Sequence, residues 1–304
     1  MEEIIIDNGY SNMRKMLEDY LFEVQEKTAK ESVTGISSGF RPLDDLTGGF
    51  ENGKVYVIGG RPCIGKEEFM LSMIRSIAVE SDLPVLLFST NYLKSDYVSR
   101  LLSIHCDVST SYLQKGCLEP QDWVKLDKGL HTLADAPLFI HDSMDLPLKE
   151  LMETTRNCIK ETGIKIIFID CLQMIDFTKE DNNVSEKIAK IMFSLKRFAH
   201  YTNLPIVVGS MMNRVVEYRE GNEGKRPQLM DLANSCFIEE LADVVMMVHR
   251  PEYYSIYQDE YGQDLHGQMQ ILVRKNILKP LGEIVLYYLH ETGAVTVTKE
   301  PLPF

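Results

Sequence analysis

The stretch GRPCIGKEEF, residues 60–69, decides how the rest of the chain is read. Gly60 to Lys66 spells G-x-x-x-x-G-K, and it stands between the apolar run VYVIGG and the helical pattern KEEFMLSMIRSIAVES. A phosphate-binding loop needs that setting, because its backbone N–H groups and the following helix N-terminus cradle phosphates while the lysine reaches the outer ones. Gly60, Arg61, Pro62, Cys63, Ile64, Gly65, Lys66 and Glu67 are therefore candidate nucleotide-binding residues. Position 67 breaks the pattern, since a carboxylate stands where such loops place a hydroxyl for magnesium.

Outward from the loop, PVLLFST, PLFIHD, KIIFID and PIVVGS are short apolar runs without polar alternation, as parallel strands buried on both faces require. Helical patterns near 66–81, 94–104, 148–162 and 185–201 separate them, which predicts an α/β fold with helices on both faces of a mainly parallel central sheet. The closing runs DVVMMVH, QMQILVRKN, GEIVLYYL and AVTVT follow closely with few helices, so antiparallel strands are expected at the end. KIIFID ends in Asp170, at the strand position where an acid holds a magnesium ion's water shell; Asp170 is the first candidate metal ligand and Glu67 the second.

Residues 1–33 read as an amphipathic helix over 11–30, capped at Ser11, followed by a linker; residues 34–304 read as the main domain. The helix needs a cover for its stripe of Met13, Met16, Leu17, Tyr20, Leu21 and Val24, either its own domain or a neighbouring subunit. With 32 basic against 45 acidic residues the net charge is −13, which disfavours strong binding of a polyanion unless positive charge is concentrated locally. No apolar run reaches membrane-spanning length and no signal peptide is present, so a cytoplasmic protein without membrane contact is expected. Six scattered cysteines and seven histidines form no metal-ligand spacing; reduced packing cysteines and no zinc are expected.

Taken in order, TGISSGFRPLDDLTGGF, GRPCIGKEEF, PVLLFST, FIDCLQMI, SMMNR, KRP, IEELADVVMMVHR and KPLGEIVL resemble the C-terminal motor domain of DnaB-type replicative helicases, from about Thr34 to about Thr298. The resemblance implies a RecA-like P-loop NTPase fold, ring hexamers with ATP or ADP and Mg2+ between subunits, and single-stranded DNA in a central channel. It also makes the leading helix that family's linker helix and leaves the family's globular N-terminal domain without a counterpart here.

The positions that carry the family's chemistry depart from its pattern. Its catalytic Glu after F-S-x is Asn91, and the sensor Gln of S-Q-x-N-R is Met211. Its K-Q-R-N-G segment, which serves a neighbour's ATP, becomes Lys275, Asn276 and Ile277, so the lysine survives and the arginine finger does not. A lost base costs about 10²- to 10⁴-fold, and arginine fingers carry on the order of 10³- to 10⁵-fold. Glu67 adds repulsion: a carboxylate ~4 Å from one phosphate charge, at an effective dielectric of ~20, costs about 4 kcal/mol. The family's DNA-facing run appears as residues 231–243 with Ala233, Cys236 and Phe237 in place of its Arg and small residues. Arg214, Arg219, Lys225 and Arg226 remain as weak DNA-binding candidates among Glu217, Glu220 and Glu223.

The expectation is a helicase-like domain deficient in hydrolysis, serving assembly or regulation in DNA replication, with copies of itself, a replicative helicase or another replication protein as partner. The alternatives are an active ATP-driven DNA translocase that uses Glu68 or Asp176 as its base, and a nucleotide-gated scaffold that binds without hydrolysing.

Overall fold

A computed structural model describes residues 12–29, 34–176, 183–233, 235–277 and 279–299. The strands are β1 (Val55–Gly60), β2 (Val85–Ser89), β3 (Leu138–Asp142), β4 (Leu146–Pro147), β5 (Ile166–Asp170), β6 (Ile175–Asp176), β7 (Ile206–Met211), β8 (Val244–His249), β9 (Gln268–Asn276), β10 (Gly282–Tyr288) and β11 (Val295–Thr296). Nine of them form one sheet in the order β11-β10-β9-β8-β1-β7-β5-β2-β3, and β4 pairs with β6 separately. From β8 to β3 all neighbours are parallel, while β9, β10 and β11 run antiparallel. The α/β architecture with antiparallel C-terminal strands is the one expected from the apolar runs.

One strand of that closing group differs from expectation: β8, the run DVVMMVH, pairs parallel to β1 with Tyr56 opposite Val244. Parallel neighbours need a crossover of a dozen residues or more. The stretch from 212 to 243, with its short helices, is long enough to return the chain to the amino end of the sheet.

The helices are α1 (Met13–Ala29), α2 (Arg41–Thr47), α3 (Lys66–Arg75), α4 (Lys94–Cys106), α5 (Thr110–Lys115), α6 (Pro120–Asp135), α7 (Leu148–Thr162), α8 (Val184–Thr202), α9 (Gly221–Lys225) and α10 (Ser235–Leu241). Strand residues alternate between two cores, which is why every residue of β1, β2 and β5 is buried. Ile58 and Phe168 join Phe69, Ile74 and Leu101 of α3 and α4 on one face. Val57 and Ile169 join Leu151 of α7 and Ile191 and Leu195 of α8 on the other. Each such side chain contributes about 1.5–3 kcal/mol of burial, and truncating one, as in Ile169→Ala, costs about 2–5 kcal/mol.

Between PVLLFST and PLFIHD the predicted helix near 94–104 is α4, and α6 follows it over a stretch where the apolar periodicity predicts no helix. Helix α6 starts with Pro120 at its first turn and packs on α4 through Gly129, where a Cβ would stand 2.6 Å from Cys106 Sγ. Ser11, read above as the cap of the first helix, lies outside the described residues; Asn12 Oδ1 accepts from Lys15 N at 2.9 Å. On the apolar stripe of α1, Met13, Met16, Leu17, Tyr20 and Leu21 are all more than half exposed. All six cysteines are free, but Cys63, Cys117 and Cys236 are exposed, so packing accounts for Cys106, Cys171 and half-buried Cys158 only. Among the described residues no helix is long and apolar enough to cross a membrane, and no three His, Cys, Asp or Glu converge as a metal site.

Candidate nucleotide site

Strand β1 delivers Gly60 to the carboxyl edge of the sheet, and α3 begins at Lys66. The turn between them needs two left-handed residues, Cys63 at φ 60° and Gly65 at φ 100°; glycine takes the latter without steric cost. Ile64 is buried and anchors the turn, while Pro62 and Cys63 are exposed. Arg61 is buried and faces away from the loop's mouth. Its Nε donates to Glu217 Oε1 at 2.7 Å and its Nη1 to the Met212 carbonyl at 2.7 Å, so it ties the loop to the exit of β7.

Lys66 is 3% exposed and sits between two carboxylates, with Nζ 2.7 Å from Asp170 Oδ1 and 3.0 Å from Glu67 Oε1. Burial alone would lower its pKa, but Asp170 and Glu67 override that and hold it above the usual lysine value. The second oxygen of Asp170 is also taken, because the Tyr97 hydroxyl donates to Oδ2 at 2.7 Å. Gly209 on β7 leaves room for this cluster: a Cβ there would stand 3.0 Å from Lys66 Nζ and 3.2 Å from Asp170 Oδ1. Thr90, just past the end of β2, closes the site by donating to the Asp170 carbonyl at 2.6 Å and accepting from Cys171 N at 2.7 Å. Asn91 follows it at the strand's exit, half-buried.

The loop backbone fits a phosphate, and the side chains do not fit a metal-bound one. Each oxygen of Asp170 accepts one donor, from Lys66 and from Tyr97, and Glu67 Oε1 pairs with the same lysine. Magnesium takes near-octahedral oxygen ligands and keeps several waters; here the strand acid is shared between Lys66 and Tyr97, and position 67 offers a lysine-paired carboxylate where the loop's hydroxyl would stand. The substitute bases are engaged as well. Glu68 lies 3.5 Å from Arg100, its pKa raised by burial and then by Glu67, and Asp176 lies 3.4 Å from Lys187.

Met211 ends β7, partly exposed; its N–H donates to Gln173 Oε1 at 3.0 Å, and Gln173 Nε2 donates to Ser210 Oγ at 2.9 Å. Lys275 and Ile277 lie at the other end of the sheet, since Val244 pairs with Asn276 and with Tyr56 near the start of β1. Lys275 Nζ caps α10 at the Glu240 carbonyl, 3.0 Å away, and Ile277 is 40% exposed. Lys275 is level with Val57, so at ~3.3 Å per strand residue it stands about 10 Å before Gly60 along the strands, two strands away from β1.

Of the four DNA-binding candidates, Arg214 is exposed. The others are committed internally: Arg219 to Asp231 in a bidentate pair, Lys225 to the Glu217 carbonyl, and Arg226 to Gln270 Oε1 at 2.6 Å and to Glu283. Sequence reasoning missed Tyr97 and Gln173 as members of the site. A buried tyrosine on an amphipathic helix reads as core, whereas Gln173 lies inside the quoted run FIDCLQMI.

The family model for the DnaB-like helicase C terminal domain matches residues 35–296. A probable replicative DNA helicase of Trieres chinensis is 33% identical over 271 residues, covering 88% of this chain and 58% of that protein. The replicative DNA helicase DnaB of Leifsonia xyli subsp. xyli is 31% identical over 255 residues, covering 84% and 54%. The chain thus spans little more than half the length of these curated relatives. Two solved structures share the fold at 24% identity. One is an ATPase domain, with a TM-score of 0.86 over 95% of this chain and 100% of that one. The other is a DnaB-like replicative helicase studied with its primase interactions, with a TM-score of 0.83 over 94% and 67%.

Proposed function

The chain belongs to the DnaB-like helicase C-terminal domain family, and from that premise we propose that it acts in DNA replication as a motor-fold domain that does not turn over ATP. Its work is assembly or regulation: it joins copies of itself or a replicative helicase through the surfaces of the fold, in the cytoplasm, with single-stranded DNA a weak ligand. Family membership implies a nucleotide and Mg2+ at the loop in general. The observation that carries the departure is the buried cluster in which Lys66 is held by Asp170 at 2.7 Å and Glu67 at 3.0 Å. A lysine neutralised twice is withdrawn from the phosphates it would otherwise reach, and Asn91 and Ile277 supply neither proton acceptor nor trans cation.

Steady-state phosphate release with and without single-stranded DNA tests this, with Lys66→Ala as the control for contaminating activity. Turnover indistinguishable from that variant is expected. Release on a seconds timescale that Lys66→Ala abolishes would overturn the reading in favour of an active translocase.

The loop's preserved backbone, with Gly65 at φ 100°, favours a second reading in which nucleotide is bound and not hydrolysed. Calorimetry with ATP and ADP, with and without magnesium, separates the two. For assembly, the exposed Met13, Met16, Leu17, Tyr20 and Leu21 of α1 carry the expectation: deleting residues 1–32 yields a folded monomer by light scattering, and an unchanged oligomer mass would contradict it.

A further inference from the structure

Glu67 is not the sole obstacle to a metal-bound triphosphate. Tyr97, on α4, is 2% exposed and puts its hydroxyl 2.7 Å from Asp170 Oδ2. Its ring packs edge-on against Tyr92 at 5.9 Å; the Arg100 guanidinium lies over Tyr92 at 4.1 Å and reaches Glu68 at 3.5 Å. A string of contacts from α3 through Arg100 and Tyr92 thus fixes the tyrosine, and the tyrosine fixes the strand acid. A donor on each oxygen takes up about half of the carboxylate's lone-pair sites and fixes its orientation, so less of it is left for a metal's water shell.

We propose that Tyr97 is a positioning residue, the second half of a two-part latch that shuts the site. Glu67 withdraws Lys66 from phosphate, Tyr97 withdraws Asp170 from metal, and releasing one leaves the other in place. This inference rests on the hydrolysis-deficient reading above and adds to it a cause of the poor fit for magnesium.

The two restraints separate by their dependence on metal. Calorimetry on the full chain with ATP, in excess magnesium and again in chelator, is the experiment, with circular dichroism to verify folding. Glu67→Thr is expected to bind ATP about 100-fold more tightly than the parent chain, because one carboxylate's repulsion is gone. Adding Tyr97→Phe to it is expected to tighten binding by about another tenfold in magnesium and not at all in chelator. A residue that merely packs the core would give no such split. A double variant that binds no more tightly than Glu67→Thr, or whose gain persists in chelator, overturns the latch.

If Tyr97→Phe does not fold, crystals of Glu67→Thr grown with ATP and Mn2+ decide. The expected result is a Tyr97 hydroxyl still bonded to Asp170 and no anomalous manganese peak beside that carboxylate; a peak there overturns the proposal. Phosphate release by the parent chain, by contrast, would overturn the hydrolysis-deficient reading, so the two failures are told apart by turnover against affinity.

Discussion

The two ends of the parallel strands each bury a carboxylate paired with a lysine, and they use it differently. At the amino end Asp243 accepts from Val55 N at 2.8 Å and from Lys196, so one acid ties β8's entry to β1 and α8. At the carboxyl end the Asp170 carboxylate is bonded only to side chains, Lys66 and Tyr97, and a second acid, Glu67, competes for the same lysine. Acids that bind backbone hold strands together. Acids that meet only side chains leave the backbone free, and here two of them share one buried cation.

The largest effect expected from the carboxyl end is an acid sensitivity. His249 ends β8, fully buried and stacked on Tyr254, and burial, aided by Arg226 and Arg274, pushes its pKa down from 6.5 to about 3. The unfolded ring takes a proton below about pH 6.5 and the folded one does not, so its contribution is complete above that pH and is lost as pH falls. The loss is about 2 kcal/mol between about pH 6.5 and 5 and about 4 kcal/mol by about pH 3. Denaturant titrations at several pH values should show that slope, and His249→Phe should flatten it above about pH 5, roughly where carboxylates begin to titrate.

Next in size is the direct comparison of the two acids. Asp243→Ala strands a backbone N–H and a lysine and is expected to cost about 3 kcal/mol. Asp170→Ala leaves Lys66 its Glu67 partner and should cost about 2 kcal/mol, measured by urea unfolding. Equal costs would mean that Glu67 gives no redundancy. Arg61→Ala should cost about 2 kcal/mol and speed proteolytic cleavage near residues 214–218, because the guanidinium's bonds to Glu217 and Met212 are lost.

The smallest effect belongs to the amino end. Burial would raise the pKa of Glu51, but Lys279 and Lys54 draw it down to about 2 from 4.5. Its contribution is present above the ordinary carboxylate value and lost as pH falls toward the depressed one, about 1 kcal/mol after solvent screening. Lys279→Ala should remove part of that acid dependence.

Strands β1, β2 and β5 are legible in the sequence because each is an unbroken apolar run, as a sheet covered on both faces requires. The loop is legible because its glycines and lysine have fixed spacing between strand and helix. Helix α6 is not, since Gly129 interrupts its pattern and Trp123, Val124 and Leu130 point outward; the close approach to Cys106 that explains the glycine is a tertiary fact. Tyr97 stays hidden for a related reason. Nothing in the spacing of α4 says which strand end a core tyrosine's hydroxyl will meet. The parallel pairing of β8 depends on the length of a crossover whose helices are too short to announce themselves.

Arg61 has a further, mechanical consequence. With one buried and one part-buried hydrogen bond, it acts as a short strut from the cradle at residue 61 to the turn bearing Val215 and Tyr218, whose side chains stand 59% and 80% exposed. That turn therefore has no independent anchor to the cradle at this point: the position of an exposed rim segment is set by one guanidinium that belongs to the loop.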